Sequence, residues 1–233
     1  MLYTIADLTF YMEPDSVTKQ QAKKYLEKKD RMAEFEIFPP NIDQFKAKKQ
    51  SVDFETYQYL LCGFRFYCAL LEYKGIMQHA SAVVVDNKAY LFSAPSGTGK
   101  STHTGKWLEL FGDKAYILND DKPAIRILDD GIYAYGTPWS GKHDISVNKK
   151  VPLQGICFLT RDTENWIKPM EKISASVRIY HAALHNLSTT QLSNQLDIIN
   201  QIIEHIPIYE MGCTPTIEAA RMAYNVMSKE EVK

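Results

Sequence analysis

Eight residues decide the fold of this chain: Ala94-Pro95-Ser96-Gly97-Thr98-Gly99-Lys100-Ser101. The apolar residues 89–93 before them predict a strand, and a helix is predicted over residues 101–110, ended by Gly112. Glycines in such a connection let backbone amides turn inward, and the start of a helix adds positive potential. The stretch therefore predicts a loop that binds a polyphosphate.

The end of this loop supplies a charge and a metal ligand. Lys100 can reach the β- and γ-phosphates of a nucleotide, and the Ser101 hydroxyl can bind Mg²⁺. The pattern matches G-x-x-x-x-G-K-[ST] except at its first position, where Ala94 replaces glycine. We therefore predict a P-loop with ATP and Mg²⁺ as cofactors. The residues predicted to bind the nucleotide are Ser96, Gly97, Thr98, Gly99, Lys100, Ser101, Thr102 and Lys142.

Two adjacent aspartates, Asp120 and Asp121, follow a short predicted strand over residues 114–118. Phosphoryl transfer to a hydroxyl needs a carboxylate that holds the metal and a base that takes the proton. Adjacent residues at a strand end point in different directions, so one aspartate can face the metal and the other the acceptor. The pair lies about twenty residues beyond Lys100, which favours this interpretation over an exposed turn.

A histidine and a polar loop each have two interpretations. His79 lies on a predicted strand over residues 76–85, and a hairpin would bring it to the sheet edge that carries the phosphate loop, although a lone histidine is more often structural. In the loop over residues 136–143, Lys142 can contact a triphosphate and Trp139 can stack an acceptor; alternatively this loop is a rigid connection.

Three arginines are candidates for a cation that stabilises the transition state, and the sequence does not choose among them. They are Arg126, Arg161 and Arg178.

Bulk composition excludes several classes of protein. The 233 residues are 45% hydrophobic and 24% charged, which is ordinary for a folded globular chain. A net charge of -1 argues against a nucleic-acid partner, and no apolar run approaches the ~20 residues of a membrane span. The four cysteines have no CxxC spacing, so we expect them to be reduced in a cytoplasmic protein.

The remaining pattern predicts an α/β fold of α+β character, with a mixed β-sheet and flanking helices. Hairpin signals before and after the loop argue against an all-parallel sheet. Helices are predicted over residues 53–73, 174–186, 189–205 and 216–228. Residues 1–75 are predicted to be an accessory segment on a kinase core of residues 76–233. This segment either docks a substrate or adds to the core.

Three motifs follow one another along the chain in an order that is also found in a known protein family. They are His79-Ala80, Ser96-Gly97-Thr98-Gly99-Lys100-Ser101 and Leu118-Asn119-Asp120-Asp121. With them, the chain resembles the catalytic domain of HPr kinase/phosphorylase, whose fold is related to the nucleotide-binding part of phosphoenolpyruvate carboxykinase. The resemblance runs from about residue 76 to the C-terminus.

The resemblance implies roles for four residues. In that family the strand histidine and the aspartate pair serve the acceptor and the metal, which implies His79, Asp120, Asp121 and Lys100 as catalytic residues. Ser101 and Asp120 are the expected metal ligands, and Asp121 is preferred on the acceptor side, although which aspartate is the base stays open. The Glu-Ile-Arg-Gly signature of HPr kinases is absent, so neither HPr as substrate nor the phosphorylase reaction is carried over.

The sequence thus predicts an ATP/Mg²⁺-dependent kinase that phosphorylates a hydroxyl, preferably a serine of a small protein or peptide. Free serine or another small metabolite is the alternative acceptor. A regulatory module that binds a nucleotide without transfer is a second alternative, and a carboxykinase is the least favoured because the chain is short. Neither a nucleic-acid nor a membrane partner is expected, and a homo-oligomer is left open.

Overall fold

The structure of the protein, a computed structural model, describes residues 1–14, 16–47 and 51–229. The strands, in chain order, are β1 (Leu2–Ile5), β2 (Leu8–Met12), β3 (Phe35–Ile37), β4 (Gly75–Met77), β5 (Ala80–Val85), β6 (Lys88–Ser93), β7 (Ala115–Asn119), β8 (Ala124–Leu128), β9 (Gly131–Tyr135), β10 (Lys150–Arg161), β11 (Trp166–Pro169) and β12 (Ile208–Cys213). The α-helices are α1 (Ser16–Gln21), α2 (Ile42–Ala47), α3 (Phe54–Glu72), α4 (Lys100–Phe111), α5 (Lys172–Ala182), α6 (Thr189–His205) and α7 (Ile217–Met227). Short 3-10 helices lie at Ala22–Tyr25 and Gly112–Lys114.

Within the described residues, nine strands form one mixed sheet in the order β4-β8-β9-β10-β6-β5-β7, with β12 and β11 branching from β10. The long β10 joins the two parts, because it pairs antiparallel with β9 near its start and parallel with β6 and β12 further on. The predicted mixed sheet is therefore confirmed. A tight turn through Asp86 and Asn87, with φ of 51° and 57°, makes the β5–β6 hairpin that excludes an all-parallel arrangement.

Helices cover both faces of this sheet. On one face, α4 and α7 bury a cluster centred on Trp107, which packs against Tyr90 and Phe92. On the other face, α3, α5 and α6 join a larger cluster, where Phe66 of α3 stacks on Trp139 with 5.0 Å between ring centroids. Burying one such aromatic side chain stabilises the fold by about 1.5–3 kcal/mol. Packing on both faces therefore stabilises the sheet.

The N-terminal strands form a separate small sheet in the order β1-β2-β3. Ala6 and Asp7, with φ of 53° and 59°, turn the chain between β1 and β2. Phe10 of β2 stacks on Phe35 at 4.7 Å and contacts Phe66, so this sheet shares the larger core cluster. A domain boundary at residue 75 stays a prediction.

The predicted strand over residues 76–85 is in fact two strands. β4 pairs with β8, whereas β5 pairs with β6 and β7, so the chain changes partners between them. At this crossing the Gln78 amide donates to the Pro123 carbonyl and the His79 amide donates to the Ala182 carbonyl. His79 consequently lies at the entrance to β5 and not inside a strand.

Two further expectations concern the cysteines and a membrane-spanning helix. All four cysteines are free thiols, and Cys62 and Cys157 are buried. In the described part of the chain, no helix is both long enough and apolar enough to cross a membrane.

Candidate active site

Strand register brings three separate segments to one edge of the sheet. Ala80 at the start of β5 pairs with Ser93 at the end of β6, and Ala82 pairs with Asn119 at the end of β7. The residues just beyond these positions, which include His79 and the two aspartates, therefore meet the glycine loop at this edge. Sequence separation alone does not give this arrangement.

A cavity of about 520 Å³ lies at this edge. The residues that line it are His79, Ser96, Gly97, Gly99, Lys100, Ser101, Thr102, Asp120, Asp121, Ser140, Gly141, Lys142 and His143. All residues predicted to bind the nucleotide or the metal, or to be catalytic, are among them except Thr98, which lines a neighbouring cavity instead. The structure thus places the predicted residues together, while their roles stay predictions.

The glycine loop has the backbone geometry that its sequence requires. Gly97 and Gly99 have φ of 76° and 120°, a region that side-chain-bearing residues rarely adopt, and Gly99 caps the start of α4. Lys100 is only 8% exposed, and its Nζ donates a 2.9 Å hydrogen bond to the Ala94 carbonyl. Because this bond uses the backbone oxygen, alanine at position 94 serves as well as glycine. Burial lowers the pKa of Lys100, and nearby Asp121 opposes that shift.

Asp120 is fixed from the interior of the sheet. The hydroxyl of Ser81 on β5 donates a 2.6 Å hydrogen bond to its Oδ1 atom. The same hydroxyl lies 2.8 Å from Oγ1 of Thr104 on α4. Asp120 is therefore tied to the helix whose first turn carries Ser101. The sequence analysis missed Ser81 and Thr104; the signal was a hydroxyl residue in an otherwise apolar strand.

Asn119 shapes the turn that separates the two aspartates. Its side chain is fully buried, and its Oδ1 accepts hydrogen bonds from the amides of Asp121 and Lys122 at 2.9 and 2.8 Å. Its Nδ2 donates to the Thr137 carbonyl at 2.9 Å. This Asx turn ends β7 sharply, so that Asp120 stays beside Ser81 while Asp121 turns toward His79.

Asp121 and His79 form the other side of the cavity, with 3.4 Å between Oδ1 and Nε2. Burial raises the pKa of Asp121, while Lys122 and Lys100 oppose the shift. Burial, together with Lys122 and Lys100, lowers the pKa of His79 to about 4. His79 is therefore neutral near pH 7, and the contact joins an uncharged imidazole to a carboxylate. A Cβ at Gly141 would lie 3.3 Å from the Cβ of Asp121, so the glycine lets the loop approach closely.

Part of the loop over residues 136–143 packs in the core, and another part lines the cavity. Trp139 is 2% exposed, stacks on Phe66 and donates from Nε1 to the Tyr59 carbonyl, so the hypothesis that it stacks an acceptor is wrong. Lys142 is exposed at the cavity, and its contact with a triphosphate stays a prediction.

The N-terminal segment braces this loop from outside. Lys24 pairs with Asp144 at 2.9 Å, and Asp144 accepts a hydrogen bond from Ser140. Gln21 donates to the Gly141 carbonyl at 3.0 Å. The N-terminal segment therefore supports a wall of the cavity, a role that the sequence pattern did not indicate.

The three candidate arginines occupy different environments. Arg126 is buried and donates to the carbonyls of Ala6 and Tyr73, away from the cavity. Arg161 donates to the carbonyls of Gly97 and Thr98, so it supports the loop itself. Arg178 lines an adjacent cavity that also includes His79.

The donor set suits one class of metal. Among the residues that the structure describes, no three His, Cys, Asp or Glu side chains form a cluster that could hold an ion. Mg²⁺ in nucleotide sites typically takes one or two protein oxygens and completes its shell with phosphates and water. Asp120 and Ser101, which line the same cavity, offer such oxygens, so the residues present fit Mg²⁺ bound with a nucleotide.

Fold and site together define a mixed-sheet α/β protein whose sheet edge carries a glycine loop and paired aspartates. The family model described as SynChlorMet cassette protein ScmC matches residues 47–214, and the chain belongs to this family. The family that matches is thus a different one from the HPr kinases that the motifs resemble.

Solved structures are also similar to this chain. A solved structure, the Hpr(Ser) kinase/phosphatase from Coxiella burnetii, is 14% identical, with 55% of this chain and 91% of that chain covered and a TM-score of 0.29. No curated protein matches the chain.

Proposed function

We propose that this chain is an ATP/Mg²⁺-dependent kinase that transfers the γ-phosphate to a hydroxyl, preferably a serine of a small protein or peptide. One observation carries the proposal. A glycine loop with a buried lysine, two aspartates fixed in different directions and a neutral histidine line one cavity of about 520 Å³. The loop, the lysine and the two carboxylates are groups that phosphoryl transfer to a hydroxyl uses.

The loop holds the phosphates. Backbone amides of residues 96–101 and the N-terminus of α4 attract the anionic oxygens, and Lys100 adds a positive charge beside them. Asp120 and Ser101 would hold Mg²⁺, which neutralises charge on the phosphates during transfer. The bond from Ser81 keeps the Asp120 carboxylate in place for this role.

Asp121 takes the proton of the acceptor. The acceptor oxygen forms a bond to the γ-phosphorus, the bond from that phosphorus to the bridging oxygen of ADP breaks, and the hydroxyl proton passes to the Asp121 carboxylate. Asp121 suits this role for two reasons. Burial raises the pKa of Asp121, and the Ser81 hydroxyl donates its hydrogen bond to Asp120 and not to Asp121. Neutral His79 orients this carboxylate and the acceptor from the other side.

Transfer of label from γ-³²P-ATP tests the proposal. The acceptors offered are serine peptides, free serine and the proteins encoded beside this one, which are the first candidates because the matching family is a cassette protein family. Mg²⁺-dependent labelling of a hydroxyl would support the proposal. Tight ATP binding without labelling of any acceptor would favour the regulatory module instead, and phosphorylation that depends on oxaloacetate would favour a carboxykinase.

A further inference from the structure

A second cavity, of about 300 Å³, adjoins the proposed catalytic residues. His79 lines both cavities, and the start of the glycine loop, at Ala94 and Pro95, forms part of the second wall. The opposite wall is the C-terminal end of α5, which contributes Arg178 and His181. A molecule in this cavity would therefore contact His79, which lies 3.4 Å from Asp121, whereas Lys142 lines the first cavity only.

Arg178 is the charged group of this cavity. Its guanidinium lies 5.5 Å from the ring centroid of Phe158, which orients it by a cation–π contact. Within residues 1–14, 16–47 and 51–229, no carboxylate forms an ion pair with it. An oriented arginine fork binds a carboxylate through two parallel hydrogen bonds. The cavity is therefore suited to an acceptor that carries a negative group close to its hydroxyl.

The outer face of α5 extends this cavity along the surface. Ile173 is 82% exposed and Val177 is 50% exposed, and both lie on the helix face that leads to His181. Scattered apolar residues are normal on a surface, but these form a row that ends at the cavity. A free amino acid would fill the cavity alone, whereas a peptide would also cover this row.

The geometry of phosphoryl transfer indicates which cavity receives the acceptor. The attacking oxygen and the departing ADP lie on opposite sides of the transferred phosphoryl group. A third cavity, of about 310 Å³, contacts the opposite end of the glycine loop and is lined by Thr98, Arg161 and Thr214. It lies where the parallel strands β10 and β12 end, a usual place for a nucleotide in α/β sheets. The cavity beside His79 is thus left for the acceptor.

We infer that α5 and the cavity beside His79 form a docking site for an acidic acceptor peptide. Its serine hydroxyl points at Asp121, a neighbouring Asp or Glu side chain pairs with Arg178, and an apolar residue further along packs on Ile173 and Val177. This inference rests on the proposed kinase function and specifies its substrate class.

A position-scanning library of serine-centred peptides with γ-³²P-ATP tests the inference. Wild-type protein should prefer Asp or Glu next to the serine. Arg178→Met should raise the KM for the best acidic peptide about tenfold, because a charge-assisted hydrogen bond is lost, while kcat and the KM for ATP stay unchanged. Arg178→Glu should shift the preference to Lys or Arg at the same peptide position. The double variant Ile173→Ser/Val177→Ser should weaken binding of long peptides and leave short ones unaffected.

Arg221→Met is the matched control, because Arg221 is exposed on α7, which packs on the opposite face of the sheet. Its kinetics should equal those of the wild type. Three outcomes would overturn the inference while the kinase function stands. They are transfer without an acidic preference, an unchanged KM in Arg178→Met, and labelling of free serine but of no peptide.

Absence of any transfer would instead count against the kinase function. In that case, retention of the protein on the same peptide array with a non-hydrolysable ATP analogue decides the docking question. Arg178-dependent retention on acidic peptides would support the docking site, and equal retention of wild type and variant would overturn it.

Discussion

The hydroxyl of Ser81 donates a 2.6 Å hydrogen bond to Oδ1 of Asp120, and this bond joins the interior of β5 to the edge of the cavity. The Ser81 hydroxyl also lies 2.8 Å from Oγ1 of Thr104, which is within hydrogen-bond distance of the Lys100 and Ser101 carbonyls at the start of α4. The position of the proposed metal ligand is therefore set by residues that cannot touch a nucleotide themselves.

Ser81→Ala should raise the Mg²⁺ concentration for half-maximal activity severalfold, because Asp120 loses the bond that orients it. The variant should fold, with a loss in the free energy of unfolding of about 1 kcal/mol, the typical contribution of one such bond. Mg²⁺ titrations at saturating ATP and thermal unfolding measure the two effects. An unchanged Mg²⁺ requirement would count against Asp120 as the metal ligand.

Lys100→Ala should reduce transfer by about 100-fold or more, because the transferred phosphate loses its positively charged partner. Single-turnover assays with γ-³²P-ATP measure this loss. Lys106→Ala is the matched control, since Lys106 lies on the same helix and pairs with the exposed Glu109. Equal losses in the two variants would contradict the role of Lys100.

Asp121→Asn should lower kcat by about 10²–10⁴-fold, the usual contribution of a general base, with little change in nucleotide affinity. Steady-state kinetics and equilibrium binding of ATP separate the two quantities. Asp113→Asn, at an exposed turn after α4, should behave as the wild type. Wild-type turnover in the Asp121 variant would exclude this aspartate as the base.

Activity should fall as the pH decreases through the pKa of Asp121, because the base must be ionised. Burial raises this pKa and Lys122 lowers it, so Lys122→Met should raise it further and move the acid limb of the kcat profile to higher pH. The pKa of His79 should move in the same direction, since Lys122 also lowers it. Lys114→Met, an exposed change, is the control. An acid limb that stays in place or moves to lower pH would refute this account.

Lys24→Met should raise the KM for ATP about two- to fivefold, because Lys24 holds Asp144 and the loop that carries Lys142. Stability should change by less than about 1 kcal/mol, as expected for a partly exposed ion pair. The neighbouring Lys23 is exposed and serves as the control in Lys23→Met. If the two variants have equal KM values, the N-terminal segment does not support nucleotide binding.

Local sequence signals were sufficient to predict much of the secondary structure. The predicted helix over residues 189–205 coincides with α6, since its apolar period and the capping box of Ser188 and Gln191 are both local features. The β8–β9 hairpin confirms the hairpin signal after the glycine loop, which consists of the turn residues Asp129-Asp130-Gly131. In contrast, β11 and the short α2 were not predicted. β11 is held by its pairing with the distant β12, which its own residues do not reveal.

The sequence by itself determined the glycine loop, the order of its partner motifs and the mixed character of the sheet, because these depend on residue types within a few positions of one another. Tertiary structure alone decided that β4 and β5 separate at Gln78, that Trp139 enters the core, and that Ser81 reaches Asp120. These outcomes depend on register and packing between segments far apart in the chain. The place of Arg178 beside His79 was decided in the same way, because α5 and the start of β5 meet only in the folded protein.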